Sequence, residues 1–90
     1  MINIVDIKKR IGEWIEQNNN IDNADEIIDY NCNGQDVSIS MVKSSINPYI
    51  GATVTTDEYV YRFLYAGNSE TRFDMSKLEH LTTIKIEDDD

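Results

Sequence analysis

Apolar residues recur at Ile4, Ile7, Ile11, Trp14 and Ile15, with Asp6, Lys9, Arg10, Glu13 and Glu16 on the other side of the pattern. This spacing follows the helical turn and predicts an amphipathic helix from Ile4 to Gln17. Asn3 is a good N-cap with Asp6 three residues on, and Asp6–Arg10 and Lys9–Glu13 are i,i+4 pairs. The run Asn18-Asn19-Asn20 ends the pattern. An apolar stripe of this kind needs a sheet to cover.

The next segment has two readings. Ile21, Ala24, Ile27 and Ile28 could form one face of a short helix with acids in its first turn. The alternative is a hairpin turning at Asn33-Gly34, a dipeptide that suits a type I′ turn. That turn sets Tyr30 opposite Val37 and Ile28 opposite Ile39, so Ile28, Tyr30, Cys32, Val37, Ile39 and Met41 share a face. The hairpin is favoured, with Asp22 to Glu26 as a loop or a single helical turn ahead of it.

Ser44-Ser45-Ile46-Asn47-Pro48 reads as a connection, because Pro48 has no amide donor and biases Asn47 away from helix. A second hairpin turns at Asp57-Glu58 and sets Ile50, Ala52, Val54 and Thr56 opposite Tyr65, Phe63, Tyr61 and Tyr59. These aromatic residues are expected to lie under the helix, leaving Val60, Arg62 and Leu64 on the opposite face. Gly67-Asn68-Ser69 supplies a further turn, after which Thr71 would face Tyr65 and Phe73 would face Phe63. Asp74 or Ser76 can cap a short helical turn through Leu78 and Leu81, and Thr82 to Ile86 alternates like a final strand. The predicted fold is α+β, an N-terminal amphipathic helix packed on an antiparallel sheet of about five or six strands. Residues 1–86 form the expected single domain and residues 87–90 an acidic tail.

Composition narrows the function. The chain has 90 residues, 17 of them acidic and 8 basic, for a formal charge of -9. No apolar run has membrane-spanning length and Met1-Ile2-Asn3 does not open a signal peptide, so a cytoplasmic protein is expected. Direct nucleic-acid or anionic-membrane binding is disfavoured by the sign of the charge. One Cys, Cys32, and one His, His80, are too few for the common zinc sites, and no metal or cofactor is expected. Stretches 20–25 and 31–36 faintly resemble calcium loops, but they lack the spacing of the EF-hand. The four glycines are isolated, so there is no phosphate-cradling loop. Cys32 falls on the expected core face and His80 in an expected surface turn, Glu79-His80-Leu81, with no catalytic partner for either. A non-enzymatic role is the expectation.

The distribution of charge says more than its sum. No basic residue lies between Arg10 and Lys43, and Ile11 to Tyr61 carries a net charge of -8. Carboxylates two residues apart on a strand are spaced by about 7 Å, and those three or four apart on a helix by about 5–6 Å, comparable to phosphates along a nucleic-acid strand. A rigid array of this kind can compete for the Lys/Arg groove of a nucleic-acid-binding protein. The candidate partner-binding residues are Asp22, Asp25, Glu26, Asp29, Asp36, Asp57 and Glu58.

In size, acidity and lack of enzymatic motifs the chain resembles the small phage inhibitors of bacterial defence, including anti-CRISPR proteins and DNA mimics. Thirteen Ile against three Leu, with nine Asn, fits an AT-rich coding sequence. The resemblance implies a partner protein with a basic, nucleic-acid-binding groove. Two alternatives stand beside it: an immunity or antitoxin-type protein that neutralises a basic toxin by the same charge complementarity, and a structural component that self-assembles through exposed strand edges and the Val60-Arg62-Leu64 face.

Overall fold

The computed structural model describes residues 3–18, 23–32, 34–44, 49–67 and 73–86. Helix α1 spans Ile4–Gln17. Strands β1 (Ala24–Cys32), β2 (Gln35–Lys43), β3 (Ile50–Thr55) and β4 (Tyr59–Tyr65) follow, then a 3-10 turn at Met75–Lys77 and β5 (Leu78–Lys85). The strands form one antiparallel sheet in the order β1-β2-β3-β4-β5, each paired with its neighbour in sequence. The fold is α+β, a single helix packed on a five-stranded meander.

The helix begins where Asn3 Oδ1 accepts a hydrogen bond from the Val5 amide, 3.0 Å away, satisfying one of the orphan donors of the first turn. At the other end Asn18 Nδ2 donates to the Trp14 carbonyl, and Lys43 Nζ donates to the Asn18 carbonyl at 2.6 Å. A cation at a helix C-terminus is favourable, because the last carbonyls lack partners and carry partial negative charge. On the helix surface Arg10 and Glu13, three residues apart, form an ion pair at 3.3 Å.

Ile7, Ile11, Trp14 and Ile15 are buried against the inner face of the sheet, formed by Val37, Ile39, Met41, Ile50, Ala52, Val54, Tyr61, Phe63, Tyr65 and Leu78. Each buried isoleucine of the helix contributes on the order of 2 kcal/mol relative to an exposed one. Both expected hairpin registers are present: Tyr30 pairs with Val37 and Ile28 with Ile39, and Ile50, Ala52 and Val54 pair with Tyr65, Phe63 and Tyr61. Gly34 sits at φ 85°, and Asn31 Oδ1 accepts from its amide. A residue with a Cβ is strained in that left-handed conformation.

Three expectations fail, each for a tertiary reason. The stretch ahead of the first hairpin is neither loop nor helix over Ala24, Asp25 and Glu26; these residues extend β1, because pairing with β2 continues as far as Ala24 opposite Lys43. Phe73 also does not take the expected strand position opposite Phe63. Tyr65 pairs instead with Leu78 and Phe63 with His80, while Phe73 stacks on Tyr65 with ring centroids 5.1 Å apart. The Tyr65 hydroxyl accepts from the Asp74 amide and the Ala66 amide donates to the Lys77 carbonyl, which closes the longer β4–β5 connection. Thr71 lies outside the described residues. The final strand consequently starts at Leu78 rather than Thr82, and His80 is in that strand, not in a turn. The short helical turn is confined to Met75–Lys77, where Asp74 accepts from the Ser76 amide.

Candidate protein-binding surface

Alternation along the strands places one set of side chains under the helix and leaves the other set uncovered. The uncovered face carries Asp25, Ile27 and Asp29 on β1, Asp36, Ser38, Ser40 and Val42 on β2, and Gly51, Thr53 and Thr55 on β3. Val60, Arg62 and Leu64 of β4 and Glu79, Thr82 and Ile84 of β5 complete it. Among the described residues no element crosses this face. Ile27, at 67%, Val42, at 52%, and Ile84 are exposed there, and Val60 and Leu64 are half-buried.

The predicted acids divide among three places. Asp25 and Asp29 are on the uncovered face of β1 and Asp36 on that of β2. Asp29 and Asp36 are diagonal neighbours, since Asp29 pairs with Ser38 and Asn31 with Asp36, a spacing of about 7–8 Å. Asp57, in the turn between β3 and β4, joins them in lining an open cavity of about 500 Å³ with Asn31, Ser38, Thr55 and Thr56. Glu58 is exposed in the same turn. Glu26 does not join the array. It points to the helix side, accepts from the Trp14 indole N–H, and lines a separate cavity of about 180 Å³ with Arg10, Glu13, Gln17 and Ile28. Asp22 lies outside the described residues.

The turn that carries Asp57 is held firmly. Thr56, 6% exposed, accepts through Oγ1 from the Tyr59 and Glu58 amides and donates to the Tyr59 carbonyl. Lys43, the sole cation of the acidic block, is buried and engaged at the helix C-terminus. The block therefore shows its carboxylates to solvent without an intervening ammonium. Tyr61, under the same turn, has its pKa pushed up, mainly by burial and further by Tyr59 and Glu58.

The chain matches no family model, no curated protein and no solved structure. Its chemistry must therefore be argued from its own side chains. His80 is exposed on β5, with its ring against Phe63 and Tyr61. Its Nε2 is 2.7 Å from the Thr83 hydroxyl and 3.0 Å from the Thr82 carbonyl. The side chain of Cys32 lies outside the description. Among the described residues no three His, Cys, Asp or Glu side chains converge as metal ligands, and no helix is long and apolar enough to cross a membrane.

Sequence reasoning missed Gly51 and Glu79 as parts of this surface. The signal for Gly51 was available, a glycine inside an otherwise alternating strand. Glu79 reads as part of a turn in the sequence because the start of β5 depends on a pairing that no local pattern specifies.

Proposed function

We propose that this protein is a non-enzymatic inhibitor that binds a basic, nucleic-acid-binding surface of a partner protein, in the manner of a phage anti-defence protein such as an anti-CRISPR or a DNA mimic. The observation that carries this reading is the grouping of Asp29, Asp36 and Asp57 at one end of an uncovered sheet face, with Asp25 on the same face. The backbone of the paired strands is fixed by its ladder, so little backbone order has to be acquired on binding. Engagement of Lys43 elsewhere leaves no ammonium of the block among these carboxylates.

The experiment is capture of partners on the immobilised protein from a low-GC bacterial lysate, with and without excess duplex DNA, followed by salt titration of each captured partner. Basic nucleic-acid-binding proteins displaced by DNA are expected. Their affinity should fall steeply with salt, because the Debye length shrinks from about 10 Å at 0.1 M to about 3 Å at 1 M. Joint reversal of Asp25, Asp29 and Asp36 to Lys should abolish capture, and reversal of Glu26 alone should not. Partners insensitive to DNA, or capture unchanged by the triple reversal in a cooperatively folded variant, would refute the proposal.

A further inference from the structure

One row of the uncovered face has an unusual composition. Reading across β1 to β5, the paired positions are Asp25, Val42, Gly51, Leu64 and Glu79: an acid, an aliphatic residue, no side chain, an aliphatic residue, an acid. Three ordinary reasons for a glycine inside a strand do not apply at Gly51. Its φ is not positive, since Gly34 is the positive-φ glycine among the described residues. There is no bulge, because Gly51 keeps register with Val42 on one side and Leu64 on the other. Among the described residues nothing approaches it, and a Cβ built there meets none of their atoms within 4 Å. What remains is close approach from outside, the other setting in which strand glycines occur.

We infer that the uncovered face seats an amphipathic cationic helix of the partner, laid along β3 with an apolar side chain in the trough over Gly51. This rests on the electrostatic reading above and specifies the shape of what is bound. The backbones at Val42 and Leu64 are two strand spacings apart, about 10 Å, so the two side chains can flank the apolar stripe of an α-helix lying above β3. The floor between them, Gly51, Thr53 and Thr55, is made of small side chains. Asp25 and Glu79 stand about 19 Å apart, one on each side, within reach of Lys or Arg on the two flanks of such a helix. Arg62 on β4 sets the direction: the more basic flank lies over β1 and β2, where Asp25 and Asp29 are. A second copy of this chain is a poor occupant, since each carries a charge of -9.

The probe is a synthetic helix of about five turns with Leu on one face and Lys on both flanks, compared with a peptide of the same composition in scrambled order. Binding to the intact protein is followed by fluorescence anisotropy and by ¹⁵N amide shifts. The expected result is tighter binding of the amphipathic peptide than of the scrambled one, with shifts centred on Val42, Gly51, Thr53 and Leu64. Gly51→Leu, which meets open space in the free protein, should weaken binding by about tenfold while leaving the thermal midpoint unchanged or raised. Gly51→Thr, with a strand-favouring side chain, should do the same. Equal binding of the scrambled peptide, shifts confined to the Asp57–Glu58 turn, or Gly51 variants that bind as wild type would overturn the helix seat. If those variants bind as wild type while the triple reversal of Asp25, Asp29 and Asp36 still abolishes binding, the seat alone is wrong and the electrostatic reading stands.

Discussion

Gly12 offers a test of how α1 meets the β4–β5 connection. It is buried in mid-helix, where replacing Gly by Ala ordinarily stabilises by about 1 kcal/mol through backbone entropy and propensity. Here a Cβ would come within 2.5 Å of the Phe73 ring, closer than any real carbon–carbon contact. Overpacking of this kind costs about 1–3 kcal/mol. Subtracting the helical gain leaves Gly12→Ala destabilising by about 0–2 kcal/mol, a fall of up to roughly 10 °C in Tm for a domain of this size. In a Phe73→Ala background the obstruction is gone, and the same substitution should stabilise by about 1 kcal/mol. The assay is urea denaturation followed by circular dichroism on the four proteins of the double-mutant cycle, with a coupling of about 1–3 kcal/mol expected. A rise in stability in the wild-type background, or a coupling near zero, would show that Phe73 does not pack on Gly12.

Other perturbations test separate contacts. Trp14→Phe should cost about 1–3 kcal/mol in chemical denaturation, since it removes volume from a buried site as well as the indole donor to Glu26; Glu26→Gln keeps an acceptor and should cost less than about 1 kcal/mol. Thr56→Val leaves the Tyr59 and Glu58 amides without their hydroxyl acceptor, so a loss of about 1–3 kcal/mol is expected, with faster hydrogen exchange at those two amides. The Asp74 carboxyl is held below its ordinary value first by the Ser76 hydroxyl and then by the Ser76 amide, with Lys77 adding to the effect. A depressed folded-state pKa means that the contribution is present above the unfolded value and is lost as pH falls through the folded one. Ser76→Ala should move the Asp74 titration upward in a carboxyl NMR experiment, and an unmoved titration would show that the hydroxyl is not its partner.

Local pattern was sufficient for α1 and the second hairpin, and it favoured the first hairpin over a short helix. The helix follows from isoleucines at helical spacing and an Asn cap, and the hairpins from alternation around turns that admit few registers. One register decision then places every side chain of a strand on one face or the other, so the location of Val37, Ile39, Tyr61 and Phe63 in the core was legible in the chain. Charge patterning likewise identified an acidic block, because charge is additive along the sequence.

The tertiary structure decided how that block is divided. Glu26 and Asp25 are adjacent in sequence, yet extension of β1 through Ala24 sends one to the Trp14 indole and the other to the uncovered face. Asp57 meets Asp29 and Asp36 only because β3 lies beside β2, a long-range pairing with no local signature. The start of β5 also depended on distant partners: Tyr65 pairs with Leu78 and takes Phe73 against its ring and the Asp74 amide on its hydroxyl, while Asn68 and Ser69 of the expected turn lie outside the described residues. Alternation therefore specified which side chains face the core. Which acids share the opposite face, and the bare position at Gly51 between Val42 and Leu64, were set by strand order across the sheet.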